Sequence, residues 1–264
     1  MESLTIKLLK RHIMSNKILS KSYNFKYHTQ KHKLDDILKE IIYILKTGIS
    51  YRNLRSNINY NTIYYNYCKL NRYKIFELSF KDLMKKYLKR TKNRTLKIIS
   101  TDTSFISNKN GKDNIGYNKY YSKKNGNKIS LIVDKKGFPL NVKIYNGKIN
   151  DSKIFMKQIN DYNIDNNNEI KYFLCDKGYD SKEIDNKLKD LNYIPLILQN
   201  KRGIKDKNKL RKFSSDEGKI YSNRMRVENS FCKLKQLRRI NLRYDCKIEN
   251  YLGYIYLGII LKFI

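Results

Sequence analysis

Near residue 92 the hydrophobic period of this chain changes, and no other feature limits its possible folds as much. Before that point, in "KLDDILKEIIYILKTGISYRNL", Leu34, Ile37, Leu38, Ile41, Ile42 and Leu45 recur at intervals of three and four. This is the spacing of one helix face, and Gly48 follows where a left-handed residue would close the helix. Beyond residue 92 the period falls to two or to unbroken apolar runs. "TLKIISTDTSF" predicts a strand, and "KISLIVDKKGFPLNVKIYNG" predicts two strands joined by a turn from Asp134 to Gly137. Then come helix "DSKIFMKQINDY" with Asp151 as its expected N-cap, strand "IKYFLCDKGY", helix "SKEIDNKLKDLN" capped by Ser181, and strand "IPLILQN". Three antiparallel strands followed by crossover strands make an α/β domain.

The helical region has its own logic. After Gly48 the pattern predicts a short helix from Tyr51 to Ser56, a turn through Asn57 to Asn59, and a longer helix to about Leu70. Three helices with a tight turn before the last form a helix-turn-helix, whose final helix enters the major groove of DNA. With Ile63, Tyr67 and Leu70 turned to the core, Asn61, Tyr64, Tyr65 and Lys69 face outward as candidate DNA contacts. A small helical bundle that serves only packing or dimerisation is the alternative. Residues 1–33 read as a basic, poorly patterned arm that orders on DNA. The expected organisation is therefore an arm over 1–33, a helix-turn-helix region over 34–92 and a catalytic domain over 93–264.

Charge supports a polyanionic partner. In 264 residues, 57 Lys and Arg against 24 Asp and Glu give a formal charge of +33, and nucleic acid is the first candidate for a surface that repels itself so strongly. The chain has no alanine and is dominated by Lys, Asn, Ile and Tyr. An AT-rich coding sequence produces that bias whatever the function, so part of the lysine excess carries no functional meaning. Cys68, Cys175, Cys232 and Cys246 stand far apart without a CxxC pair, which suggests neither a zinc ribbon nor a disulfide scaffold and points to a reducing, intracellular setting. "MESLTIKLLKRHIMSNK" has no apolar run of signal-peptide length, and the C-terminal run "NYLGYIYLGIILKFI" is shorter than the roughly 20 residues that span a bilayer. It reads as a terminal helix packed on the core.

The stretch "IYSNRMRVENSFCKLKQ" carries the chemistry. On one helix, Tyr221, Arg224, Glu228 and Lys235 fall at about 0°, 300°, 340° and 320°, a single arc of roughly 60°. Ile220, Val227, Phe231 and Leu234 lie beside them at about 220° to 280°, so the polar row borders the stripe that docks the helix. Alone, this is also the pattern of a surface helix with an Arg224–Glu228 ion pair. Asp102 in "KIISTD" and Asp176 in "YFLCD" alter that balance, because each ends an apolar strand, where open α/β sheets bind ligands. Two strand-end aspartates and a helical glutamate beside a core are hard to keep charged without a cation, and three oxygen ligands suit Mg²⁺ or Mn²⁺. Asp134 reads as a turn residue, Cys175 as a small buried hydrophobe, and His12, His28 and His32 as surface residues. Lys233, Lys235, Arg238, Arg239 and Arg243 form either a solvated face or a phosphate track continuing a basic stretch over 200–219.

The order of "STDTSF", "LIVDKKGFPL", "NDSKIF", "LCDKGYDS" and "YSNRMRVENSFCKLKQLRRINLRYD" resembles the DDE transposases of bacterial-type insertion sequences. All four positions of that family's Y-x2-R-x3-E-x6-K signature are met, and the likeness runs from about residue 25 to 264, with "ILKTGISYRNL" similar to the family's helix-turn-helix entry. The resemblance implies a ribonuclease H-like core: a mixed five-stranded sheet flanked by helices. It implies that Asp102, Asp176 and Glu228 hold two Mg²⁺ or Mn²⁺ ions, and that Tyr221, Arg224 and Lys235 touch DNA near the scissile phosphate; the charge run adds Arg238 and Arg239 as candidate DNA contacts. It also implies terminal inverted repeats and target DNA as substrates, a homodimer on DNA, and no nucleotide cofactor or membrane. Two departures stand out. Only the stretch 200–219 occupies the place where some branches insert a β-strand domain, and Tyr51 stands where the family pattern usually has Trp. A copy that only binds DNA, and a ribonuclease H-like nuclease or resolvase without strand transfer, remain the competing readings.

Overall fold

The structure, a computed structural model, describes residues 1–23, 32–92, 94–119, 124–162, 171–200 and 213–264. His28 and residues 201–212 of the basic stretch lie outside the described residues. The chain divides into two compact units. One comprises Met1–Tyr87, Ile106–Asp113 and Lys233–Ile264; the other comprises Leu88–Phe105 and Asn114–Cys232.

The first unit begins with helices α1 (Glu2–Ser15) and α2 (Lys17–Tyr23) where an unpatterned arm is expected. Ile6, Leu9, Ile13, Leu19 and Tyr23 are buried, and the basic residues between them hide this three-and-four spacing. Lys10 and Arg11 of α1 also pair with Asp35 and Asp82. Helix α3 (Leu34–Thr47) ends as its sequence predicts, with Gly48 left-handed at φ 69° and its N–H on Ile44 O at 2.9 Å. Tyr51–Asn53 forms only a 3₁₀ turn, shorter than the expected helix. Helix α4 (Tyr60–Arg72) is capped by Asn59, whose side chain accepts from Asn61 N at 2.9 Å. Ile63, Tyr67 and Leu70 are buried, as their spacing requires, and Asn61, Tyr64 and Tyr65 are exposed. Helix α5 (Ile75–Thr91) follows.

The second unit is built on a sheet of β1 (Ile98–Asn108), β2 (Gly116–Asn118), β3 (Lys124–Asp134), β4 (Pro139–Asn146), β5 (Lys171–Cys175) and β6 (Tyr193–Ile197). Its order is β2-β3-β1-β5-β6 with β4 on β3, so the five expected strands are joined by one of three residues. β3 and β4 form the expected hairpin, turned by Asp134: its Oδ1 accepts from Lys136 N (2.9 Å) and Phe138 N (2.8 Å), and Gly137 sits at φ 80°. β1, β5 and β6 run parallel, joined through crossovers that include α6 (Asp151–Asn160) and α7 (Lys182–Asp190). The signature stretch is not one helix. It is α8 (Ser215–Tyr221), a 3₁₀ turn (Ser222–Arg224) and α9 (Met225–Lys235).

The C-terminal elements complete the first unit, whereas the expected domain division placed them with the sheet. α10 (Arg238–Asn241) leads into β7 (Leu242–Arg243), which pairs in parallel with Ser107 and Asn108. α11 (Ile248–Phe263) lays Tyr254 on Tyr67 with ring centroids 4.2 Å apart, and Tyr67 donates its hydroxyl to Asn250 O. The apolar C-terminal run is thus the core helix of the helical unit. Among the described residues no helix is long and apolar enough to cross a membrane.

Candidate active site

Strand register brings the two aspartates together. β1 and β5 pair in parallel up to Ser100↔Leu174, so Asp102 and Asp176 each stand two residues beyond matched partners. Asp102 does not end its strand as expected, since β1 continues to Asn108; it stands where the described pairing with β5 ends. Thr103 N donates to Asp102 Oδ1 at 2.7 Å. Burial pushes the Asp102 carboxyl up to about 6, with Asp176 and Asp151 adding to the shift while the Thr103 N–H and Arg224 oppose it. A carboxyl placed beside two other carboxylates in a partly dry setting gains from any cation that arrives.

The signature helix supplies the third carboxylate and a guanidinium. Arg224 Nη2 donates to Glu228 Oε1 at 2.5 Å, while Nη1 lies 3.7 Å from Asp102 Oδ2. The 3₁₀ turn changes the geometry expected from a uniform helix, because residues three apart eclipse there, which puts Arg224 in line with Tyr221. Tyr221 itself donates to Cys175 O at 3.1 Å, and its ring lies 4.9 Å from that of Phe213. Its proton is therefore committed to the backbone, and burial, the largest of several influences, pushes its pKa up to about 12. The expected Tyr221 contact with a phosphate would need that bond to be given up. In this structure the tyrosine ties the signature helix to the end of β5, next to Asp176.

Sequence reasoning missed a second polar cluster. Asn150, not Asp151, caps α6, accepting from Ser152 N at 2.9 Å. Asp151 is thereby released from capping: its Oδ1 accepts from Thr103 Oγ1 (2.6 Å) and from the buried Lys128 Nζ (2.8 Å). "ND" offers two capping residues in succession, and the alternation of "KISLIV" puts Lys128 on an inward face; together these were the available signals. Tyr179 is also buried here, and burial, then Asp102 and Asp151, hold its hydroxyl neutral by raising its pKa. Cys175 is buried with its thiol pushed up chiefly by desolvation, as a small hydrophobe should be.

Carboxylate oxygens as the only charged donors fit a hard divalent cation in kind. In arrangement, no group of three His, Cys, Asp or Glu among the described residues is close enough together to hold one, and Arg224 reaches both Asp102 and Glu228.

The family model for the transposase DDE domain matches residues 93–257. The chain belongs to that family. Among solved structures, the piggyBac transposase in its synaptic complex with hairpin DNA aligns with a TM-score of 0.55 at 12% identity, over 98% of this chain and 73% of that one. The catalytic domain of Mos1 mariner transposase aligns with a TM-score of 0.30 at 12% identity, over 61% of this chain and 89% of that one. The Mos1 catalytic domain with raltegravir and Mn gives 0.29 at 12%, over 60% and 92%. No curated protein sequence matches. The mixed sheet with its flanking helices is the α/β fold that the sequence resemblance implies, and the piggyBac structure shares it.

Away from these carboxylates the candidate DNA contacts divide. Asn61, Tyr64, Tyr65 and Arg238 are exposed, whereas Lys69 is half-buried with Nζ 5.3 Å from the Tyr23 ring. Lys235 is half-buried at the end of α9. Arg239 is not available to a phosphate track: it is buried, bonded through Nε and Nη2 to Asp245 at 3.2 and 2.8 Å, and enclosed by the rings of Tyr51, Tyr244 and Tyr254. Arg243 is buried too, bonded to Asp113 and to the carbonyls of Asp245 and Cys246. His12, expected on the surface, is half-buried 3.4 Å from Asp82.

Proposed function

We propose that this DDE transposase binds the terminal inverted repeats of an insertion sequence and cuts and rejoins DNA at Asp102, Asp176 and Glu228. The observation that carries the assignment is the parallel register that leaves Asp102 and Asp176 each two residues beyond the last matched pair of their strands, in a domain that matches the family. The three carboxylates would hold two divalent cations, Mg²⁺ or Mn²⁺, which when bound supply Lewis-acid activation of the attacking oxygen and stabilisation of the leaving one.

The chain's own residues do the rest. Thr103 N–H fixes the rotation of the Asp102 carboxylate, and Tyr221 fixes the signature helix against Cys175. Arg224, with its planar fork, and Lys235 are the candidate phosphate partners on that helix. Asn61, Tyr64, Tyr65 and Lys69 on α4 are the candidate duplex-reading face, with Arg238 as a further phosphate contact. Two ends must be handled together, so a homodimer on DNA is the expected assembly.

Incubating the protein with Mg²⁺, a duplex made from the DNA flanking the reading frame and a supercoiled plasmid tests this. Transposition predicts end cleavage followed by joining of the freed 3′ end into the plasmid. Cleavage without joining favours a nuclease or resolvase, and binding without cleavage favours a protein that only holds DNA.

A further inference from the structure

We infer that Arg224 is a built-in substitute for a cation, held between Glu228 and Asp102 until nucleic-acid phosphate draws it off, so that DNA and divalent cation bind cooperatively. This rests on the reading of Asp102, Asp176 and Glu228 as the cation-holding set.

Several observations converge on it. The guanidinium donates to Glu228 at 2.5 Å and reaches to 3.7 Å from Asp102, so one side chain spans two of the three carboxylates meant for the ions. Lys128, the buried base of the neighbouring cluster, is already committed to Asp151 and to Ile149 O. A divalent ion on Asp102 and Glu228 would compete with Arg224 for the same two carboxylates, and their like charges at contact distance favour exchange over sharing.

Its means of leaving are visible. Arg224 ends the 3₁₀ turn that interrupts the signature helix, a conformation that often marks a hinge. Its contact with Asp102 is too long for a hydrogen bond, and a guanidinium can exchange one carboxylate for a bidentate phosphate. By linkage, the factor by which phosphate raises cation affinity equals the factor by which cation raises DNA affinity, typically about 5- to 150-fold.

The test is Mn²⁺ binding to the full chain, read from the loss of the free-ion paramagnetic resonance signal, with and without a duplex made from the DNA flanking the reading frame. Wild type should bind Mn²⁺ weakly alone and roughly tenfold more tightly with duplex. Arg224→Ala should bind tightly without duplex and gain less than about twofold from it. Arg224→Gln, which keeps the length and loses the charge, carries the same comparison if the alanine variant fails to fold. Equal affinity of wild type and the neutral variants without duplex would overturn the inference and leave the cation-site reading standing. Absence of Mn²⁺ binding in every protein under both conditions would overturn both.

Discussion

Each unit of the molecule contains an arginine–carboxylate constellation, and the two are built for opposite ends. In the helical unit, Arg239 and Asp245 leave 6% and 3% of their side chains exposed, share two hydrogen bonds and sit among three aromatic rings. In the sheet unit, Arg224, Asp102 and Glu228 leave 18%, 25% and 38% exposed, with one hydrogen bond and one looser contact. The same functional groups make a permanent lock where water is excluded on every side, and an exchangeable contact where a face stays open. Residue type alone therefore says little about which arginine of a basic protein meets DNA; enclosure decides it.

Perturbing each constellation sharpens this contrast. The largest effect is expected for Asp245→Ala, which strands a buried guanidinium and should cost about 3–5 kcal/mol in urea unfolding. A loss below about 1 kcal/mol would mean that the Arg239 site is not a lock. Next is Asp102→Asn. The neutral form of Asp102 is the one the fold prefers, so its contribution to stability is complete below the ordinary value of 3.8 and is lost as pH rises through about 6. The asparagine variant should thus be more stable than wild type at pH 7 by about 2 kcal/mol, allowing for partial exposure, and the gain should vanish near pH 4. Equal stability at both pH values would remove the claim that this carboxylate is strained by burial.

Arg224→Ala should change stability by less than about 1 kcal/mol, since a partly exposed pair contributes little. A loss as large as that of Asp245→Ala would show the two constellations to be alike. The smallest effect concerns α4: Lys69→Ala should weaken DNA binding uniformly across sequences and lower the salt slope by about one unit. An unchanged slope would take Lys69 out of the interface.

Much of this was legible in the sequence because local signals agreed. Gly48 closed α3, Asp134 and Gly137 turned the hairpin, and β5 ended just before Asp176, whereas β1 ran on past Asp102. What was not legible depended on distant partners or on competing signals. The charge run after the signature reads as a solvated or DNA-facing track, yet Arg239 is enclosed by Tyr51, Tyr244 and Tyr254, none of which lies on its own helix. Lysines and arginines obscured the apolar stripe of α1, and adjacent Asn150 and Asp151 compete for one cap, which decides whether Asp151 faces solvent or Thr103. The uniform helical wheel drawn over Tyr221 to Lys235 missed the 3₁₀ turn, because no glycine or proline marks it.

The most direct measurement is Mg²⁺-dependent cleavage of an end duplex by wild type, Asp102→Asn, Asp176→Asn and Glu228→Gln, each shown to be folded by circular dichroism. Lewis-acid stabilisation worth several kcal/mol, at 1.36 kcal/mol per tenfold, predicts that each substitution slows cleavage by roughly 10³-fold or more while the duplex is still bound. Near-wild-type cleavage by any one of the three would contradict the assignment of these carboxylates as the active site.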